Sequence, residues 1–298
     1  MTTQTLTLSG QQAAVDTLGG RLVRCSVGGH ELLAGTEDPA WFAFRGALLA
    51  PWPNRVAGAR WTWQGRELSL PVNDPGSGSA LHGLVYDAEF AISASTASSI
   101  ELTHDLAASD GYPFPLRIAV GYALTGDGIS CSLTASNTGT DRAPVGLGVH
   151  PYVAAPTLVD DLVLTVPAAT LLETDAAWRE TGRTDVAAAG LDFRRPRRIG
   201  DLALDNGFTD VEHGGSGRTV VTVGLPDGRE VEVWSGATCR WWLIYTGHTL
   251  APSANRRSLA VEPMTCPPDA LNGGEIDVLA PGEALRLDWG FRVQSSLG

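Results

Sequence analysis

A histidine and a glutamate, far apart in the chain, are the residues whose types and surroundings best suit chemistry. His150 ends an apolar, glycine-spaced run over residues 145–149, and Glu262 follows the apolar run Ser258–Val261. An imidazole and a carboxyl held on rigid β-structure supply a proton donor and a proton acceptor that could face each other across one small substrate. The pair therefore predicts a reaction that only moves protons.

Each of the two residues also has a structural alternative. A lone histidine beside an apolar run is often a hydrogen-bonded structural residue, and a glutamate on a central strand can form a salt bridge with an arginine. A carboxylate between Val261 and Pro263 is costly to bury without a partner, and this cost favours a functional role for Glu262.

Further polar residues could bind the hydroxyl groups of a small ligand. Arg55 comes after Asn54 and a tryptophan-proline corner, and its fork of donors suits hydroxyl groups. His82 stands beside Gly83, which permits tight backbone geometry. The segment 205–208 is typical of a turn, with Asp205 as a candidate acceptor. A turn-capping arginine and an ordinary loop histidine are the structural alternatives.

Several other chemistries lack their sequence signatures. The four cysteines include no Cys-x-x-Cys pair, so no zinc or redox spacing is present. Zinc held by His82, His150 and Glu262 has no support from local ligand spacing. The chain contains no lysine, which excludes Schiff-base chemistry, pyridoxal phosphate attachment and a P-loop. We expect no metal.

Composition limits the class of protein further. The formal net charge of -12 argues against nucleic acid as a partner. The chain has no apolar run long enough to span a membrane and no signal segment at its start. We therefore expect a cytoplasmic protein that forms a single domain over residues 1–298.

The elements that must position these residues follow a period of two. Residues 116–124 and 129–136 alternate in polarity around a glycine-rich turn, and residues 219–225 and 229–234 flank Pro226–Gly228. Shorter candidate strands are 60–63, 89–94, 100–104, 162–166, 240–245, 258–261 and 284–293. Long helical periodicity is nearly absent, so the sequence predicts an all-β fold, a large antiparallel sandwich or barrel.

Six fragments in this order resemble the aldose 1-epimerase (mutarotase) family, over roughly Leu48 to Phe291. They are Pro53–Arg55 with Gly58, Leu81–Gly83, Gly148–Tyr152, Leu204–Phe208, Tyr245–Gly247 and Val261–Pro263. The resemblance implies a galactose-mutarotase-like β-supersandwich, which agrees with the strand rhythm. Two positions depart from the galactose-type pattern: Leu243 replaces a frequent glutamine, and His248 replaces a frequent asparagine.

The resemblance also implies roles and a reaction. The residue matching His150 acts as general acid and the one matching Glu262 as general base in α/β anomer interconversion of an aldose, with no cofactor. This requires a protonated His150 and an ionised Glu262, an ion pair that proximity would favour. The residues expected to bind the sugar are Asn54, Arg55, His82, Asp205 and Tyr245.

Two rival functions remain open. A hexose-6-phosphate 1-epimerase would need an arginine cluster at the cleft, and the only dense basic run, Arg194–Arg198, reads as a solvated surface turn. A non-catalytic carbohydrate-binding β-sandwich would not need an acid–base pair. The expected partner is a small-molecule aldose, and the chain is expected to be a monomer or homodimer.

Overall fold

The computed structural model describes residues 2–34 and 44–294. Over these residues the regular secondary structure is almost entirely β. The strands are β1 (Thr3–Leu8), β2 (Gln11–Asp16), β3 (Leu22–Val27), β4 (His30–Glu31), β5 (Leu48–Leu49), β6 (Arg55–Val56), β7 (Arg60–Trp63), β8 (Arg66–Ser69), β9 (Ala80–Leu81), β10 (Ala91–Ser95), β11 (Ser99–Leu106), β12 (Leu116–Leu124), β13 (Gly128–Asn137), β14 (Ala143–Val145), β15 (Gly148–Val149), β16 (Tyr152–Ala154), β17 (Val163–Thr165), β18 (Ala168–Thr174), β19 (Glu180–Asp185), β20 (Arg197–Arg198), β21 (Asp205–Val211), β22 (Thr219–Gly224), β23 (Glu230–Ser235), β24 (Trp241–Tyr245), β25 (Ser258–Met264), β26 (Asp277–Leu279) and β27 (Ala284–Gln294).

Helical structure in the described residues is confined to short pieces. The α-helix α1 spans Ala270–Gly273, and 3-10 turns span Ala57–Ala59 and Val159–Asp161. None of these is long and apolar enough to cross a membrane.

Two large antiparallel sheets organise the fold. The nine-stranded sheet has the order β10-β11-β12-β13-β27-β23-β22-β17-β20. The eight-stranded sheet has the order β19-β18-β21-β24-β25-β15-β5, with β16 also paired to β25. A four-stranded sheet has the order β1-β2-β3-β4. Three two-stranded sheets pair β6 with β9, β7 with β8, and β14 with β26.

The main hydrophobic core lies between the two large sheets. Leu133 and Val233 come from the nine-stranded sheet, Ile244 and Val261 come from the eight-stranded sheet, and all four belong to one buried cluster. Side chains alternate between the two faces of a strand, so every second residue of these strands enters this core. The prediction of a large antiparallel β-sandwich is confirmed.

The two predicted hairpins are confirmed as β12–β13 and β22–β23. Each shorter candidate strand also overlaps an observed one. The turn predicted over residues 205–208 is wrong, because these residues begin β21 and pair with β24. Phe208 is buried in the core there, and this burial outweighs the turn preference of Asp205, Asn206 and Gly207.

Candidate active site

Strand β25 places Glu262 on the face of the eight-stranded sheet that points away from the core. The alternation assigns Leu259 and Val261 to the main core, whereas Ala260 and Met264 join small clusters on the other face. Glu262 is two residues from each of Ala260 and Met264, so its side chain lies on the same face as theirs. It stands opposite Leu243 of β24. The carboxyl is fully buried.

His150 meets Glu262 directly. It follows β15, whose Gly148 pairs with Met264 of β25, and its backbone N–H donates to the carbonyl of Ala47 at 3.0 Å. These contacts bring His150 Nε2 to 3.3 Å from Glu262 Oε1. The two groups therefore stand side by side and do not leave the width of a sugar between them.

Burial governs the protonation of this pair. Neither oxygen of Glu262 accepts a hydrogen bond from any described residue. Burial raises the pKa of Glu262 well above its usual value, and burial lowers the pKa of His150 to about 3. Desolvation therefore disfavours the charged form of both groups and opposes the expected ion pair, which favours keeping the proton on the carboxyl.

His82 and Asn54 hold each other by two backbone contacts. The His82 N–H donates to the Asn54 carbonyl at 2.8 Å, and the Asn54 N–H donates to His82 Nδ1 at 3.2 Å. Both residues are left-handed, with φ of 64° and 56°. Gly83 is required beside them, since a Cβ there would lie 2.1 Å from the Ala50 carbonyl oxygen.

This contact fixes the tautomer of His82. A backbone N–H can only donate, so Nδ1 is the acceptor and a neutral ring carries its proton on Nε2. Burial lowers the pKa of His82 well below its usual value, and the charge of Arg55 acts in the same direction. His82 is therefore a neutral Nε2–H donor. Asn54 is buried, and its Oδ1 accepts the Arg55 N–H at 2.9 Å.

A metal ion fits this site poorly despite a suitable set of residues. One ligand atom from each of His82, His150 and Glu262 lies within 4.8 Å of the others. A ligating histidine, however, normally donates through its second nitrogen, whereas His82 Nδ1 already accepts from Asn54. Binding through Nε2 would require loss of the only ring proton. The geometry favours proton chemistry, and the absence of a metal stays a prediction.

Arg55, on the small β6–β9 sheet, points into the same region. Its Nε donates to Asp74 Oδ2 at 2.7 Å, and its guanidinium carbon lies 4.4 Å from the centre of the Trp178 ring. Its charge acts on the pKa values of His82, His150 and Glu262. No described residue forms a hydrogen bond with its Nη1 or Nη2, so both can reach a ligand.

Asp205 and Tyr245 are register partners at the ends of β21 and β24. Thr246 fixes this corner, since its Oγ1 accepts the N–H of Leu204 at 3.1 Å and donates to the Leu204 carbonyl at 3.3 Å. Burial raises the pKa of Asp205 to about 6, against the opposing charge of Arg55. The Tyr245 hydroxyl lies 2.6 Å from Thr249 Oγ1.

Three further residues shape the site without having been predicted. Tyr152 stacks on His150, with ring centres 4.9 Å apart and planes at 17°. Buried Arg45 lies 4.2 Å from the Tyr152 ring centre and donates to Ser258 Oγ at 2.8 Å. Trp178 lies against Arg55. Tyr152 belongs to a recognised motif, but nothing in the sequence marks Arg45 or Trp178.

One protein family and two curated proteins match most of this chain. The family described as aldose 1-epimerase matches residues 3–292. The uncharacterized protein YihR of Escherichia coli (strain K12) is 33% identical over 283 residues, covering 93% of this chain and 88% of YihR. The uncharacterized protein YphB of the same organism is 25% identical over 255 residues, covering 83% and 82%.

Solved structures share the whole architecture. The galactose 1-epimerase of Lactobacillus acidophilus NCFM superposes with a TM-score of 0.81 at 20% identity, covering 97% of this chain and 93% of that one. The GalM/aldose epimerase homologue of C. elegans gives a TM-score of 0.85 at 16% identity, covering 98% and 99%. At such identities the likeness establishes the fold, which is galactose mutarotase-like.

Proposed function

Because the chain belongs to the aldose 1-epimerase family, we propose that it interconverts the α and β anomers of a hexose by acid–base ring opening and reclosure. The observation that carries the proposal is the buried carboxyl of Glu262, which lacks a hydrogen-bond partner among the described residues and lies 3.3 Å from His150. A buried polar group left unsatisfied calls for an explanation, and a catalytic task is one.

The side-by-side arrangement suits the two atoms that exchange protons. Ring opening removes a proton from the anomeric hydroxyl and adds one to the ring oxygen. Both oxygens are bonded to C1, so the acid and the base need to be neighbours. In the proposed step, Glu262 takes the hydroxyl proton while the C1–ring oxygen bond breaks, and His150 protonates the departing ring oxygen. The free aldehyde then rotates about C1–C2 and closes from its other face.

The proposed step is consistent with the protonation that burial favours. The pair holds one proton throughout, and ring opening leaves it on Glu262 with His150 neutral, which is the state that burial favours. To act on a closed sugar, the proton must first move from Glu262 to His150. Hydrogen bonds from a bound sugar to the carboxylate would favour that move, since hydrogen bonding to a charged form stabilises it.

The sugar-binding set stays a proposal of the same kind. Arg55 Nη1 and Nη2 and the His82 Nε2–H would donate to sugar oxygens, and Asp205 would accept from a hydroxyl. Tyr245 would border that hydroxyl as the register partner of Asp205. Asn54 would act through His82 and Arg55, because its backbone and its Oδ1 serve those two residues.

The arginine run over Arg194–Arg198 does not support the alternative function, a hexose-6-phosphate 1-epimerase. Arg194 pairs with Asp192, and Arg198 pairs with Asp161. Arg197 lies 5.0 Å from the Phe193 ring centre. The run leads into β20, the edge of the nine-stranded sheet, whereas Glu262, Asp205 and Tyr245 stand on the eight-stranded sheet.

The state of the cysteine thiols supports a cytoplasmic location for the protein. The four cysteines are buried and unpaired, and burial raises the pKa of the Cys25, Cys239 and Cys266 thiols to about 12. Free thiols suit a reducing compartment.

Polarimetry of freshly dissolved α-aldoses tests the function. We expect the protein to speed the approach to anomeric equilibrium for at least one unphosphorylated hexose. Glucose and glucose 6-phosphate, compared at equal concentration, separate the two epimerase activities. Sugar binding by calorimetry with no rate enhancement for any aldose would instead identify a carbohydrate-binding protein.

A further inference from the structure

Arg55 is held on two sides by residues from separate parts of the chain. Asp74 lies in the segment between β8 and β9, and Trp178 lies in the turn between β18 and β19. The carboxylate binds Nε at 2.7 Å, and the indole ring faces the guanidinium at 4.4 Å. Together they hold the arginine side chain while its Nη1 and Nη2 stay clear of the described residues.

The turn that carries Trp178 is built to hold an unfavourable conformation. Trp178 has a φ of 64°, which is a genuine outlier for a bulky residue. Asp175 fixes the turn: its Oδ1 accepts the N–H groups of Ala177 and Arg179 at 2.8 and 3.0 Å, and its carbonyl accepts the Trp178 N–H. Glycine would adopt this φ without strain. The presence of tryptophan here is therefore explained by its indole ring and not by the backbone conformation.

Trp178 also packs beside the catalytic strand. It lies against a buried cluster that includes Leu243 and Met264, and Leu243 is the register partner of Glu262. The indole therefore contacts Arg55 and also packs against the cluster to which the register partner of the proposed base belongs. Backbone strain that persists beside such a site indicates a functional constraint.

Asp74 is also held in place, by side-chain and backbone hydrogen bonds. Its Oδ2 accepts the Ser77 hydroxyl at 2.7 Å as well as the Arg55 Nε–H, and its backbone pairs with Ser79. Burial pushes the pKa of Asp74 upward, but the hydrogen bonds from Ser77 and Arg55 outweigh it, and the pKa lies below its usual value. Asp74 therefore stays ionised opposite the arginine.

We propose that Trp178 and Asp74 are positioning residues that fix the Arg55 guanidinium before the sugar arrives. We call this arrangement the Arg55 clamp. The inference rests on the proposed function for its catalytic consequence, because Arg55 is the residue expected to grip the sugar. A side chain as flexible as arginine loses rotamer freedom when it binds, and fixing it in advance removes that cost from ligand binding.

Kinetics of two matched Trp178 substitutions test the clamp. Trp178→Phe keeps an aromatic face for the cation, whereas Trp178→Leu keeps apolar packing and loses that face. We expect Trp178→Leu to raise KM about tenfold, the upper range for losing one pre-ordered side chain. We expect kcat to stay within about twofold of wild type and Trp178→Phe to restore most of the loss in KM. Equal KM values in both variants, or parallel losses in kcat and melting temperature, would overturn the proposal.

Asp74 offers a graded series with its own control. Asp74→Asn keeps an acceptor for Nε–H without the charge, and Asp74→Ala removes both, so KM should rise more in the alanine variant. Asp160→Asn is the matched control, because Asp160 Oδ1 also binds an arginine Nε, that of Arg256, at 2.7 Å. We expect no change in KM in the control, and a rise as large as that of Asp74→Asn would contradict the clamp.

A readout without catalysis separates the clamp from the enzyme activity. The Arg55 Nε–H proton resonance, assigned by its loss in Arg55→Lys, should exchange slowly with water and be shifted by the indole ring current. Trp178→Leu should remove the shift and speed the exchange. No shift in the wild type would refute the clamp, whereas a shift without mutarotation by the wild type would refute the proposed function alone.

Discussion

Two buried glutamates, one on each large sheet, have opposite surroundings. Glu232 on β23 is held at both oxygens: Arg292 Nη2 donates to Oε2 at 2.5 Å, and Gln294 Nε2 donates to Oε1. Glu262 on β25 is more deeply buried, and no described residue donates to it. Burial of a carboxylate alone therefore does not identify function. A structural glutamate has hydrogen-bond donors at its oxygens, whereas a glutamate without such donors is free to exchange a proton.

The largest expected effect comes from removing the unpartnered carboxyl. Glu262→Gln keeps the size of the side chain and abolishes its basicity, so we expect kcat for mutarotation to fall about 10²–10⁴-fold. The melting temperature should stay close to that of wild type, because no hydrogen bond to a described residue is lost. Polarimetry and thermal unfolding measure the two effects. Near-normal turnover would remove Glu262 from the mechanism.

Asp205 should couple pH to both activity and stability. Its carboxyl has a pKa of about 6 in the folded chain, against 3.8 as the reference value. The folded state thus binds more protons between these values, and stability falls as pH rises from about 3.8 through 6. Because a carboxylate is needed to accept a sugar hydroxyl, kcat/KM should fall as pH drops below about 6.

Asp205→Asn tests that coupling. The variant should be more stable than wild type by about 1–2 kcal/mol at pH 7.5, a figure reduced from the full linkage value because the side chain is half-buried. The gain should vanish near pH 3.5, and the variant should lose the acid limb of the activity profile at low overall activity. Denaturant titrations at the two pH values decide the point, and a pH-independent difference would contradict it.

The partnered glutamate should show the converse behaviour. Glu232→Gln breaks the pairing with Arg292, and we expect a loss of about 1–2 kcal/mol in the free energy of unfolding. The mutarotation rate should be unchanged, since Glu232 stands on the other sheet from Glu262. Urea unfolding with polarimetry checks both parts. A large loss of activity at full stability would make the contrast between the two glutamates untenable.

The smallest expected effect concerns metal ions. The Nε2 proton of His82 blocks the third ligand position beside His150 and Glu262, so chelators should leave the mutarotation rate unchanged. Micromolar zinc should not inhibit. The test is polarimetry after dialysis against EDTA, followed by zinc titration. Loss of activity in EDTA with recovery on metal addition would show that the tautomer argument is wrong.

The sequence predicted the β-sandwich well because its signals are local. Residues 116–136 and 219–234 combine alternation with a glycine turn, and both hairpins are present. The strand at Asp205 was misread because its partner β24 lies more than thirty residues away, and a short polar segment shows no trace of such long-range pairing.

The sequence identified residues that the structure brings together, but it did not indicate their protonation. The structure brings His150, Glu262 and His82 together, although their chemical roles stay predictions. Burial favours a neutral pair, which the sequence does not predict because desolvation depends on three-dimensional burial. The contribution of Trp178 was missed for a related reason, since its strain and its contact with Arg55 exist only once distant turns meet.

Strand β25 constrains how this chain can change over evolutionary time. Its alternation places Glu262 on one side and Val261 on the other. Deleting a single residue between Ser258 and Glu262 would turn the carboxyl into the apolar interior and place Pro263 beside the imidazole instead. Length changes near this strand should therefore accumulate before Ser258 or after Met264. Homologues with an alignment gap inside the strand should therefore lack the proposed activity.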